Sequence, residues 1–125
     1  MTKPNILFIL LDDMGWKDLA CTGSTFYETP NIDRLAREGM SFTNAYASCP
    51  VCSPSRASFL TGKYPARLGL TDWIDMDGTC HPLRGRVIDA PYVKHIPEGE
   101  YTVAQALRDG GYAAWHVGKW HLGGE

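Results

Sequence analysis

Residues 5–13 read NILFILLDD, an apolar and partly β-branched run that stops at two aspartates. A continuously apolar strand is typical of a parallel sheet that is covered on both faces. The stretch after Thr29-Pro30 has apolar residues at positions i, i+3 and i+4, which predicts a helix that ends at Gly39 in a left-handed conformation. Residues 40–46 then alternate with a period of two, as in a strand. The first forty-odd residues therefore predict a β-α-β unit.

Two more helices and a third strand are predicted downstream. Residues 54–61 predict a short helix that Ser53 caps and Gly62 closes, which places Cys52 at a helix N-terminus. No period holds from residue 64 to about 99, and the prolines and glycines there indicate an extended loop.

The third helix is predicted to begin after Thr102, which caps it, and to end at Gly110-Gly111. Residues 112–117 are predicted to form a third strand, which is broken off at Gly118. Ligands of open α/β sheets lie at the carboxyl ends of the strands. We therefore expect the three polar clusters that follow the strands, residues 12–13, 49–56 and 119–121, to converge on one edge.

The composition fits one soluble globular domain, with 125 residues of which 44% are hydrophobic and 21% charged. A net charge of -2 argues against nucleic acid as the main partner, because no basic excess is available for phosphates. The longest apolar run, residues 6–11, is far shorter than the ~20 residues of a membrane-spanning helix and too short for a signal-peptide core. We expect no membrane span. The sequence leaves the cellular location open. The residues given indicate a cytoplasmic protein, and the protein would be periplasmic or secreted if a leader has been removed.

Several of these polar residues are candidates for chemistry. Asp12 and Asp13 suit a hard cation such as calcium or magnesium, although two aspartates can simply end a strand. Lys119 and His121 lie two apart after the third strand, so an extended backbone would point both the same way. A surface turn is the alternative for this pair.

Three interpretations of Cys52 are open from the residues alone. The helix dipole and Arg56, one turn later, would favour a reactive thiolate, whereas a buried cysteine can also be a small apolar side chain. The CxxC formed with Cys49 allows a redox or zinc site, and zinc would need two further ligands such as Cys80 and His81.

Residues 52–62, CSPSRASFLTG, resemble the signature CxPSRxxxLTG of the formylglycine-dependent (type I) sulfatases of the alkaline phosphatase superfamily, and every fixed position is present. Residues 5–15 look like the opening strand of that family with its metal-binding aspartates, residues 29–36 like its first helix, and residues 118–123 like its second active-site motif. The resemblance implies an α/β fold with a mostly parallel sheet flanked by helices. Residues 1–125 would be the N-terminal part of a sulfatase catalytic domain.

The resemblance also implies how the nucleophile is made. Cys52 would be oxidised to formylglycine by a formylglycine-generating enzyme that reads Pro54 and Arg56. One hydroxyl of the hydrated aldehyde would attack the sulfur of a sulfate ester and displace the alcohol, and the second hydroxyl would then expel sulfate by collapse to the aldehyde. The protein would thus be a sulfuric ester hydrolase, similar to arylsulfatases, that acts on aryl or glycan sulfates.

The remaining roles follow from the same resemblance. Asp12, Asp13 and the modified Cys52 would bind calcium, in preference to magnesium. Arg56 would hold the formylglycine hydroxyl. Lys119 would contact both formylglycine and the substrate sulfate, and His121 would hydrogen-bond the hydroxyl that loses its proton. Ser55 is expected to support the turn rather than to react.

Members of the family are several times longer, and their second half supplies another metal-binding pair, a second histidine and a further lysine. We therefore expect the 125-residue chain alone to bind calcium weakly and to turn over sulfate esters slowly or not at all. Two alternatives stay open, a phosphonate or phosphate ester hydrolase of the same superfamily and a non-catalytic module that its cysteines organise through zinc or disulfides. Substrate selectivity is not predicted, although four loop residues are candidates for lining a pocket: Trp73, Arg84, Arg86 and Tyr92.

Overall fold

The computed structural model describes residues 3–75, 86–87 and 90–123. The chain divides into two compact units, Met1–Ala45 and Tyr46–Glu125. The first unit contains a 3₁₀ helix, Ala20–Thr22, and helix α1, Pro30–Glu38. The described part of the second unit contains three helices: α2, Cys52–Thr61; α3, Pro65–Leu68; and α4, Val103–Asp109. No helix within the described ranges is long and apolar enough to cross a membrane.

Helix α1 is attached to the 3₁₀ helix through Thr29, the residue before its first turn. The Thr29 hydroxyl accepts a hydrogen bond from the Ala20 N–H at 2.9 Å and donates one to the Asp33 carboxylate at 2.8 Å. It therefore joins the start of α1 to the preceding turn and makes no side-chain cap of its own helix. The left-handed end predicted at Gly39 is wrong, because Gly39 is extended (φ -114°, ψ -156°) and the chain leaves the helix directly.

The three predicted strands are not confirmed, since no β-strand occurs among the residues that the structure describes. Residues 5–11 lack regular secondary structure, and the burial predicted for them is wrong, as Leu7 is 84% exposed. Residues 40–46 and 112–117 likewise form no strand, and Trp115 and Val117 are exposed. A strand exists only where a neighbouring backbone supplies hydrogen-bond partners, and an apolar or alternating pattern does not by itself specify such a partner.

The core of the second unit is built largely from the segment that the sequence predicts as an extended loop. Leu68 of α3 and, beyond it, Leu70 and Ile74 pack with Ala57 of α2 and with Leu122, and all five are at most 3% exposed. Helix α3 and this packing were not predicted, because the apolar residues concerned follow no helical or strand period. The core positions the start of α2, which holds Cys52 and Arg56, and the segment before Leu122, which holds Lys119 and His121.

The helix predictions in the second unit are largely confirmed. Helix α2 begins at Cys52, two residues before the predicted start, and Gly62 closes it in the left-handed conformation (φ 70°). Ser53 is not its cap, because it lies inside the first turn with its side chain buried. Thr102 caps α4 as predicted, in a reciprocal capping box with Gln105.

Candidate active site

The site starts from Cys52, the first residue of α2. Its thiol is free and half-buried, and its position at the helix N-terminus is as predicted. The Ser55 hydroxyl donates to the Cys49 carbonyl oxygen at 2.7 Å. This bond fastens the first turn of α2 to the turn before it, which confirms the supporting role predicted for Ser55.

Arg56 joins α2 to the segment around Lys119. The Arg56 side chain is 6% exposed, and its Nη1 donates to the Lys119 carbonyl oxygen at 2.5 Å. A buried guanidinium requires such acceptors because its charge has been removed from water. The predicted clusters at residues 49–56 and 119–121 are therefore brought together.

His121 is connected to the start of α2 through a second set of hydrogen bonds. Its Nε2 lies 2.7 Å from the Ile74 carbonyl oxygen, and the Ile74 N–H donates to the Ser53 hydroxyl at 3.0 Å. The Trp73 ring lies edge-on to the imidazole, with 6.3 Å between ring centroids. The loop that contains Ile74 thus connects His121 to the residue next to Cys52.

The other ring nitrogen of His121, Nδ1, is buried and has no hydrogen-bond partner among the described residues. A carbonyl oxygen can only accept, so Nε2 carries the proton in the neutral ring and Nδ1 carries a lone pair. Leaving a buried acceptor unsatisfied costs about 1–3 kcal/mol. The arrangement therefore fits a hydroxyl donor at Nδ1, the kind of group that a hydrated formylglycine provides.

Backbone strain marks two of the predicted site residues. Asp13 (φ 56°) and His121 (φ 55°) are the two non-glycine residues with positive φ in the described part of the chain. A left-handed L-residue costs about 1–2 kcal/mol, and such strain concentrates at functional sites. The positive φ of these two residues is not predicted from the sequence, although Asp and His belong to the few residue types that tolerate it.

Asp12 and Asp13 belong to the first unit. They follow the apolar run as predicted, although that run is not a strand. Among the described residues no group of three or more His, Cys, Asp or Glu side chains is placed to hold a metal ion. The donor chemistry of two adjacent carboxylates nevertheless suits calcium, which binds oxygen ligands.

Some of the remaining candidate residues lie outside the part of the chain that the structure describes. Cys80 and His81, the ligands that zinc would need, lie outside the described residues, as does Arg84. The Tyr92 hydroxyl donates to the Trp73 carbonyl oxygen at 2.8 Å, which fixes Trp73 beside His121, whereas Arg86 is exposed.

Comparison with known proteins assigns the class. The chain belongs to the Sulfatase family, whose model matches residues 4–124. It is 47% identical to the N-acetylgalactosamine-6-sulfatase of Sus scrofa over 96% of this chain and 22% of the relative. It is also 40% identical to the steryl-sulfatase of Homo sapiens over 98% of this chain and 20% of the relative. The chain spans about a fifth of the length of these curated relatives.

A solved structure matches the backbone as well. The crystal structure of Ps i-CgsB superposes with a TM-score of 0.80 at 36% sequence identity, and the match covers 99% of this chain and 25% of that one. Together with the family assignment, this similarity supports the expected alkaline phosphatase/sulfatase-like fold, while the sheet itself is not confirmed.

Proposed function

We propose that the protein is a sulfuric ester hydrolase whose nucleophile is a hydrated formylglycine made from Cys52. The observation that carries the proposal is that α2 is linked to the segment of residues 119–121 twice, by the bond of Arg56 to the Lys119 carbonyl and by the bonds of Ser53 and His121 to Ile74, in a chain of the Sulfatase family. The relatives include an N-acetylgalactosamine-6-sulfatase and a steryl-sulfatase. We therefore propose sulfate monoesters as the substrate class, aryl or glycan sulfates among them.

The two groups that the family implies would supply the bond-forming chemistry. Formylglycine, when hydrated, supplies one hydroxyl for attack on sulfur and a second for release of sulfate. Calcium, when bound, supplies positive charge opposite the sulfate oxygens. Asp12, Asp13 and the modified Cys52 would hold it, with further oxygen ligands from elsewhere, because calcium takes about six to eight.

The residues of this chain would supply positive charge at the site and accept one proton. The buried Arg56 guanidinium stays fixed by the Lys119 carbonyl, so its charge remains at the first turns of α2, where it would orient the formylglycine hydroxyl. The Lys119 ammonium would bind the sulfate. Nδ1 of His121, as the ring nitrogen not used by Ile74, would accept the proton of the second hydroxyl when sulfate leaves.

The test uses the natural protein that contains these residues, co-expressed with a formylglycine-generating enzyme. Mass spectrometry of the peptide that contains Cys52 should show an aldehyde in place of the thiol. The protein should then hydrolyse an aryl sulfate faster than the matched aryl phosphate, and chelation of calcium should slow it. A faster reaction with the phosphate or phosphonate ester would support the alternative hydrolase of the same superfamily.

Two cysteine variants separate catalysis from a structural role of the CxxC. Cys52→Ser provides one hydroxyl but no second one, so it should release at most one equivalent of alcohol and then stop. Cys49→Ser is the matched control and should retain turnover. Loss of turnover in Cys49→Ser together with an unmodified Cys52 and stoichiometric zinc would refute the proposal in favour of a non-catalytic module.

A further inference from the structure

A hydrogen-bonded path connects the first turn of α2 to the imidazole of His121. The Ser53 hydroxyl accepts from the Ile74 N–H at 3.0 Å, and the Ile74 carbonyl oxygen lies 2.7 Å from His121 Nε2. Ser53 and Ile74 are fully buried, at 0% and 1% exposure. Water therefore does not compete for these groups, and each one depends on its protein partner.

The orientation of the His121 imidazole depends on contacts of the side chain, because its backbone lies outside the helices of the second unit. It lies in a segment without helix or strand, between two glycines with positive φ, Gly118 and Gly123. Its own φ of 55° is strained for a residue with a side chain. The Ile74 carbonyl is the one hydrogen-bond partner of the imidazole in the described structure, so it sets both the ring orientation and the protonated nitrogen.

We infer that Ser53 is a positioning residue for His121: by fixing the Ile74 backbone, its hydroxyl keeps the imidazole oriented with the proton on Nε2 and the lone pair on Nδ1. The inference rests on the proposed function for its catalytic meaning, because Nδ1 is the nitrogen assigned there to accept a proton. Ser53 occupies the variable second position of the signature CxPSRxxxLTG, so the signature itself implies no role for it.

The first measurement is the tautomer of His121, which does not depend on sulfatase activity. Long-range proton–nitrogen correlation spectra of the ¹⁵N-labelled protein should show neutral His121 as the Nε2–H form. Ser53→Ala removes the acceptor of the Ile74 N–H and should give a mixture of tautomers. Ser53→Thr retains the hydroxyl and should restore the wild-type pattern.

A matched control lies on the same helix. The Ser58 hydroxyl oxygen is also buried, but it has no hydrogen-bond partner among the described residues. Ser58→Ala therefore deletes a hydroxyl of α2 without breaking a path to His121, and it should leave the His121 spectrum unchanged. If Ser53→Ala fails to fold, Ser53→Cys takes its place, because sulfur has a similar size and is a weak acceptor.

The second measurement is kinetic and uses protein with equal conversion of Cys52, checked by mass spectrometry. Displacing a catalytic group by about 1 Å can cost ~100-fold in rate, so we expect kcat of Ser53→Ala to fall ~10- to 100-fold while KM stays within about twofold. Ser53→Thr should recover most of the loss, and Ser58→Ala should behave as wild type.

The possible results distinguish the positioning role of Ser53 from the proposed sulfatase activity. A wild-type His121 protonated on Nδ1, or a Ser53 variant with unchanged tautomer and kcat, would overturn the inference even if the protein is a sulfatase. A tautomer shift in Ser53→Ala in a protein that cleaves no sulfate ester would support the positioning role and overturn the proposed function.

Discussion

Replacing Gly123 with alanine tests how the segment after His121 is held. Gly123 has a φ of 95°, and a Cβ built there lies 2.5 Å from the His95 Cβ and 3.0 Å from the His95 Cα. Carbon atoms prefer about 3.5–4.0 Å, so the backbone at His95 must move. That movement would strain the 3.0 Å hydrogen bond from the Ile96 N–H to the Leu122 carbonyl. The left-handed alanine costs ~1–2 kcal/mol and the weakened hydrogen bond ~0.5–1.5 kcal/mol, so we expect the free energy of unfolding to fall by about 1.5–3.5 kcal/mol.

Gly118→Ala is the matched control for the strain alone. Gly118 has a similar φ of 101°, but no described atom lies within 4 Å of a Cβ at this position. Gly118→Ala should therefore lose only the ~1–2 kcal/mol of the left-handed backbone. Urea unfolding followed by tryptophan fluorescence gives both free energies of unfolding. Equal losses in the two variants would show that the contact between Gly123 and His95 does not anchor this segment.

Three smaller predictions concern local interactions. Thr102→Ala should lower the free energy of unfolding by about 1 kcal/mol in chemical denaturation, because it removes the cap of α4. The Thr29 hydroxyl holds the pKa of Asp33 below its ordinary value, so ionised Asp33 stabilises the fold above the ordinary carboxyl pKa, and this contribution is lost as the pH falls through the lowered value. Thr29→Val should therefore raise the pKa of Asp33 in an NMR titration. Lys63→Met breaks the 2.6 Å ion pair with Glu100 and should cost at most ~1 kcal/mol, with a smaller loss at high salt in repeated urea melts.

The parts of the fold that the sequence predicted are those that neighbouring residues determine. Helix α4 begins after Thr102 because the hydroxyl and Gln105 cap each other three residues apart. Helix α2 ends at Gly62 because glycine adopts the left-handed conformation without a steric penalty. The placement of Cys52 at a helix start followed from short-range signals as well, whereas its role as the candidate nucleophile is what the resemblance of residues 52–62 to the sulfatase signature implies.

The parts that were missed depend on residues far apart in the chain. A strand needs a partner backbone, and the apolar run at residues 5–11 does not carry information about one. The bonds of Ser53 and His121 to Ile74 span 21 and 47 residues, and no local pattern marks Ile74 as their meeting point. His121 is therefore predictable from the sequence as a site residue, whereas the roles of Ser53 and Ile74 beside it are not.

The burial of α2 limits when Cys52 can be modified. Ser53, Pro54 and Arg56, which surround the proposed site of oxidation, are buried in the folded unit. Its core also requires Leu122, far downstream. An enzyme that reads these side chains needs the open chain, so the proposed conversion belongs before the core closes. At ~5–20 residues per second, synthesis of the roughly sixty residues between the signature and Leu122 takes about 3–12 s. In the proposed maturation, this interval would be the time available to the modifying enzyme before the core around residues 53–57 can form.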